Sequence, residues 1–143
     1  MASFLTTIGI SSSIGQILES ATRQVGLISP YIRLSDRAAT QLQSADKAGK
    51  KLLVVYGKTD LPAETQKVFA SLENLTLCYL QQLHAKCFFN ERELVLSTMN
   101  LYAFSEQNNR EMGIRVRREE GRLYSDALRE VRSIVASATK CHL

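Results

Sequence analysis

Apolar and polar residues alternate along this chain in two rhythms, and the places where one gives way to the other mark its elements. Ile14, Ile17, Leu18 and Ala21 recur at helical spacing, and Ser13 followed by Gln16 forms a capping box, so a first helix is placed there. "VGLIS" is a short unbroken apolar run of the buried-strand kind, ended by Pro30. Ser35 or Asp36 opens a second helix that Gly49 closes, and "KLLVVYG" is the next strand. Asp60 and Pro62 open a third helix with Asn74 as its stop, and "LTLCYL" follows as a strand.

After that the rhythm shortens. "HAKCFF" and "ELVLS" read as two strands joined by a tight turn at Asn90-Glu91, with a short helical piece at "LYAFSEQ". "EMGIRVR" is a strand with Ile114 and Val116 on one face and Arg115 and Arg117 on the other. The tail places Leu123, Ala127, Leu128, Val131, Ile134 and Val135 on one helical stripe. The order is α/β: a mixed β-sheet sandwiched between helices, one domain over 1–143, with one copy of whatever site it holds.

Composition narrows the chemistry. No apolar run is long enough to span a bilayer, and the first residues lack a basic and then continuously apolar pattern. No stable membrane association is expected, and the expected address is cytoplasmic. Net charge is +4, which suits an anionic partner without requiring one. Cys78 and Cys87 read as small core hydrophobes, and Cys141 with His142 as a frayed tail.

Candidate chemistry gathers in "LHAKCFFNERELVLSTMN". On a strand, residues two apart point the same way, so His84 and Lys86 share a face. An unpaired lysine is costly to bury, so Lys86 points at solvent or at an anion. Ser97 or Thr98 can cap the next helical piece, whose N-terminus would seat a phosphate. If the strands pair about Asn90-Glu91, then Leu83–Lys86 lies level with the Leu94–Asn100 end. Imidazole, ammonium, hydroxyls and a carboxamide then meet at one sheet edge, with Glu111 as the nearby acid. That set suits a phosphodiester.

"HAK" followed by "STMN" resembles the phospholipase D superfamily motif, H-x-K-x4-D followed by G-S-x-N. His84, Lys86 and Asn100 match, Ser97-Thr98 stands for Gly-Ser, "NNREMGIRV" resembles the N-x-E-hydrophobic strand, and "LISPYI" resembles the first strand and turn. The likeness runs from about 25 to 117. Two departures stand out. The motif Asp falls on Glu91 by strict counting, or on Asn90 if the spacing to Ser97 is closed, and Ser97 adds a Cβ where glycine would let a phosphate approach.

The resemblance implies a phospholipase D/nuclease-like fold and a metal-independent phosphodiesterase with no cofactor. One His84 would attack phosphorus and a second would protonate the leaving oxygen. Lys86 and Asn100 would stabilise the equatorial oxygens, and Glu111 would hold the nucleophile's other ring nitrogen. Ser97 and Thr98 would lie against substrate. One usable histidine per chain then implies a homodimer with the site on its two-fold axis. On the bland reading the basic cluster of Arg110, Arg115, Arg117, Arg118 and Arg122 is a solvated strand edge and loop. Its functional reading is a phosphate-backbone track to the site, with Arg110, Arg115 and Arg117 as substrate contacts. Tyr31 and Tyr102 each sit beside a motif turn. Nuclease action on DNA or RNA is the leading expectation. A module that binds nucleic acid or another phosphodiester without turnover is the alternative, and a phospholipid headgroup hydrolase or transferase is third.

Overall fold

The structure is a computed structural model describing residues 1–102 and 109–143. Its centre is an eight-stranded mixed sheet. In chain order the strands are β1 (Ser3–Thr6), β2 (Gln24–Ile28), β4 (Lys51–Tyr56), β5 (Leu75–Tyr79), β6 (Cys87–Asn90), β7 (Glu93–Ser97), β9 (Met112–Arg117) and β10 (Thr139–Cys141). They lie in the order β1-β9-β7-β6-β2-β4-β5-β10, while β3 (Ile32–Arg33) and β8 (Leu101–Tyr102) form a separate two-stranded pair. Within the large sheet β2, β4 and β5 run parallel and the remaining neighbours are antiparallel, while β3 and β8 pair in parallel.

Helices α1 (Thr7–Ser20), α2 (Asp36–Lys47) and α3 (Ala63–Ala70) cover one face, and α4 (Leu123–Ser137) covers the other. The pleat decides which side chain goes where. Phe88, Leu27 and Val54 enter the core beneath α1–α3, while Phe89, Ile28 and Val55 enter the one beneath α4. Both faces of the central strands are therefore dry, which is why they read as continuous apolar runs. The Phe89 ring lies over Gly26, its partner on β2, where any Cβ would overlap it.

Several expectations hold. Ser35 caps α2, accepting the Ala38 N–H at 3.1 Å, and Gly49 ends that segment with a positive φ of 79°. Cys78 and Cys87 are core residues. The tail stripe packs on the sheet through Val131 with Ala127, Leu128, Ile134 and Val135.

Others are corrected. The first helix begins at Thr7, with Thr6 in the N-cap position seven residues before the Ser13 of the capping-box reading, so Ser13 is a buried mid-helix residue. β1, paired with β9, runs directly into this helix, and a four-residue edge strand carries too little alternation to be seen in sequence. Leu123 is largely exposed, and Tyr124 takes its place in the core. Cys141 belongs to β10, paired with Leu77 of β5, and is no frayed tail. The β6 strand begins at Cys87, so His84 stands just outside it, exposed. Of the helical piece expected at "LYAFSEQ", Leu101 and Tyr102 form β8, and the rest lies outside the described residues.

Candidate active site

The end of the sheet where β2, β4 and β5 finish is where open α/β sheets hold their ligands. Four connections converge there. After β5 the chain turns back at Leu80–Leu83, with the Leu83 N–H on the Leu80 carbonyl at 3.1 Å. Gly57 makes room for this turn, since a Cβ there would lie 2.2 Å from the Leu80 carbonyl oxygen. Leu83 is buried and anchors the segment, which leaves His84 exposed and Lys86 half-buried at the mouth of β6.

The hairpin register brings the second motif alongside. Cys87 pairs with Leu96, and the Ser97 N–H donates to the Lys86 carbonyl at 3.2 Å. Lys86 is thus level with Ser97; Asn90 is the last residue of β6, so the turn falls at Glu91-Arg92, one residue later than the Asn90-Glu91 expected, which would have set Lys86 opposite Val95. Among the described residues, neither His84 nor Lys86 has a side-chain hydrogen bond or ion pair with another side chain.

Ser97, Thr98 and Asn100 each have a distinct local task. The Ser97 hydroxyl accepts the Met99 N–H at 3.0 Å and so caps its own turn. Thr98 donates to Glu111 Oε1 at 2.7 Å and accepts the Met112 N–H at 3.1 Å. Asn100 Oδ1 lies 3.4 Å from both Ser29 Oγ and the Tyr31 nitrogen. That orientation turns its carboxamide oxygen inward and leaves the Nδ2 donors without a partner among the described residues.

Two positioning residues escaped the sequence reading. Ser29 is fully buried; it donates to the Tyr31 carbonyl at 2.8 Å and accepts the Leu101 N–H at 2.9 Å, tying the "LISPY" turn to the segment after Asn100. Its signal was a serine just before Pro30 at the end of an apolar strand. Thr7 accepts the Glu111 N–H at 2.9 Å and donates to the Asn109 carbonyl at 3.0 Å, holding the acid's backbone against the start of α1. No local pattern marks it, because its partners lie 102 and 104 residues away.

The arginines divide. Arg110 is exposed and precedes Glu111 at this end of the sheet. Arg115 and Arg117 are not brought there. Gly113 is the residue opposite Ser97, while Arg117 lies opposite Glu93, four residues further along β9 or roughly 13 Å at strand rise. Arg115 Nε is held by the buried Glu93 at 2.7 Å. The track expected from Arg115 and Arg117 to the site is corrected accordingly.

Both candidates for the missing motif Asp are engaged at the opposite end of the hairpin. Asn90 is fully buried; its Oδ1 accepts the N–H groups of Arg92 and Glu93 at 2.8 and 3.1 Å. Its Nδ2 donates to the Ile17 carbonyl at 2.9 Å and to Ser20 Oγ at 3.1 Å. Glu91 instead binds the loop after α1. Burial raises its pKa, but the N–H groups of Arg23, Thr22 and Gln24 outweigh that and hold the carboxyl at about 2. Tyr31 is partly exposed beside Asn100, and Tyr102 stacks under the Arg33 guanidinium at 6.0 Å. Among the described residues, no three His, Cys, Asp or Glu side chains gather as a metal site would need.

Comparison with known proteins adds the frame. No family model matches the chain, and no curated protein sequence matches it. Solved structures do. NucT from Helicobacter pylori superposes with a TM-score of 0.83 at 15% identity, covering 99% of each chain. Nuc from Salmonella typhimurium, a phospholipase D family member, gives 0.79 at 12% over the whole of both chains. Phosphatidylserine synthase from Haemophilus influenzae gives 0.77 at 12%, with 98% of this chain covering 40% of that one. A mixed sheet flanked by helices, with H-x-K and S-T-x-N meeting at one end, is the phospholipase D-like fold, and this chain has it.

Proposed function

We propose that the chain is a metal-independent phosphodiesterase, a nuclease acting on DNA or RNA, whose active site is completed by a second copy of itself. The observation that supports it most is the bond from the Ser97 N–H to the Lys86 carbonyl. It sets the H-x-K segment level with the S-T-x-N segment, and in this reading the unpaired ammonium of Lys86, the exposed imidazole of His84 and the free Nδ2 donors of Asn100 would surround one patch of solvent.

A phosphodiester in that patch would have two of its oxygens bonded to Lys86 and Asn100. These donors favour the pentacovalent state, where negative charge concentrates on the equatorial oxygens. A nitrogen of His84 attacks phosphorus; a P–N bond forms and the bond to the leaving oxygen breaks. That oxygen takes its proton from the imidazolium of His84 on the second copy. The same imidazole then removes a proton from water, which attacks phosphorus, breaks the P–N bond and releases a phosphomonoester. Glu111 has Oε1 on Thr98, and its other oxygen would accept the N–H of an imidazole and fix the tautomer.

The lost motif carboxylate does not favour a binding module here. Asn90 accepts both turn N–H groups in the hairpin and lies at its far end from His84. No helix of the described residues is long and apolar enough to cross a membrane. The test is cleavage of single- and double-stranded DNA, RNA and bis-(p-nitrophenyl) phosphate in EDTA, for the wild type and His84→Ala. EDTA-resistant turnover abolished by the substitution supports the reading. Nucleic-acid binding with no turnover of any diester refutes it. Sedimentation tests the shared site: a strict micromolar monomer that still turns over contradicts it.

A further inference from the structure

At the end of the sheet away from His84, the margin between α4 and the starts of β2 and β4 holds two adjoining cavities. One, of about 420 Å³, is lined by Arg118, Arg132, Gln24, Tyr124, Ser125 and Leu128. The other, of about 310 Å³, shares Gln24, Leu128 and Arg132, and is otherwise walled by Leu53, Phe89, Val131 and Val135. Volumes of this order suit a small organic ligand.

The charged donors of the first cavity are the guanidiniums of Arg118 and Arg132. No carboxylate lines it. Neither Arg118 nor Arg132 has an ion pair among the described residues. The Tyr124 proton is spent on the Asn90 carbonyl at 2.5 Å, and the Ser125 proton on the Arg122 carbonyl at 3.1 Å. Both oxygens of nearby Glu91 are already bonded to backbone N–H groups of Thr22, Arg23 and Gln24. Two guanidiniums with no acid between them attract an anion, and their planar forks fit the oxygens of a phosphate.

The second cavity differs. Its walls are aliphatic apart from the Phe89 ring and Arg132, and Gln24 lines both cavities. A flat apolar body with polar edges would suit both. A plain hydrocarbon chain would fill the slot but leave the carboxamide facing methylenes, which costs free energy. A nucleobase offers a face to the slot and donors and acceptors to Gln24.

We infer that this margin is a second, non-catalytic site for a nucleotide, its phosphate between Arg118 and Arg132 and its base in the slot beside Phe89 and Gln24. The inference does not depend on the catalytic reading above.

The test is calorimetric titration of the full chain with adenosine 5′-monophosphate and, separately, with inorganic phosphate. The expected result is one mononucleotide per chain, bound at least tenfold more tightly than phosphate. That affinity should fall at least tenfold in Arg118→Gln/Arg132→Gln and stay unchanged in His84→Ala. No saturable binding, equal affinity for phosphate, or full affinity in the double variant overturns the inference. So does loss of binding in His84→Ala, which would put the nucleotide at the catalytic end and leave the nuclease reading standing. Amide spectra of the wild type give a readout independent of any variant. The mononucleotide should shift the Gln24 side-chain amide and the Leu128 and Val135 backbone amides. Shifts confined to 83–100 overturn the inference.

Discussion

The carboxamide of Asn90 donates to the carbonyl of Ile17 at 2.9 Å in the fully buried seam between the β6–β7 hairpin and α1. Ile17 is one of the last four residues of α1, whose carbonyls have no partner within the helix. One side chain therefore ends a helix and caps a hairpin turn.

Asn90→Ala strips partners from two turn N–H groups and the Ile17 carbonyl. We expect a loss of about 3 kcal/mol in urea unfolding, since each buried unpaired group costs about 1–3 kcal/mol. Asn90→Asp puts a carboxylate at one of the two positions on which the motif Asp falls, but loses the Nδ2 donor and sets an anion against a carbonyl oxygen. It too should be less stable than wild type. An aspartate variant that gained both stability and activity would contradict the role described.

Glu91 makes stability depend on acid. Its folded pKa of about 2 lies below its ordinary 4.5. The unfolded chain therefore binds its proton first as pH falls, and the contribution is complete above about pH 5 and lost between about 5 and 2. Glu91→Gln has no charge to lose. Melting temperatures of the two proteins across pH 7 to 2 should differ by a constant amount above pH 5 and converge below it.

Arg115 and Arg110 should separate stability from binding. Arg115→Ala leaves Glu93 buried without its cation, and we expect a loss of about 2–3 kcal/mol with nucleic-acid affinity unchanged. Arg110→Ala, at the site end, should leave stability within about 0.5 kcal/mol and weaken binding, most visibly at low salt. Paired urea titrations and DNA-binding isotherms at two ionic strengths distinguish them.

The thiols should react unequally. Burial pushes Cys87 up to about 12 and raises Cys78 as well, while Cys141 on edge strand β10 is only partly covered. A chromogenic disulfide at pH 8 should label one thiol quickly in the native protein and three after denaturation. Rapid labelling of Cys87 would show that the β6 seam opens more readily than its packing implies.

Much of this molecule was legible before any coordinates. The apolar runs of β2, β4 and β5 announced a sheet buried on both faces. The spacing of the α4 stripe and the Ser35 cap of α2 are local signals that the chain obeys. H-x-K and S-T-x-N, separated by a two-strand hairpin, were enough to bring His84, Lys86 and Asn100 to one end, although the turn falls one residue later than expected and shifts the register by two.

Long-range partners decided the rest. β1 and β10 are strands only because β9 and β5 lie beside them. Asn90 and Glu91 were equivalent in sequence; the approach of α1 gave one a buried carboxamide role and the other an anchor for the Thr22–Gln24 backbone. Arg115 looked like a phosphate contact until Glu93, across the β7–β9 pair, neutralised it. Residue spacing fixes what a side chain can reach along its own element, but charge pairing, burial and register between distant strands determine which of those groups remain free to meet a ligand.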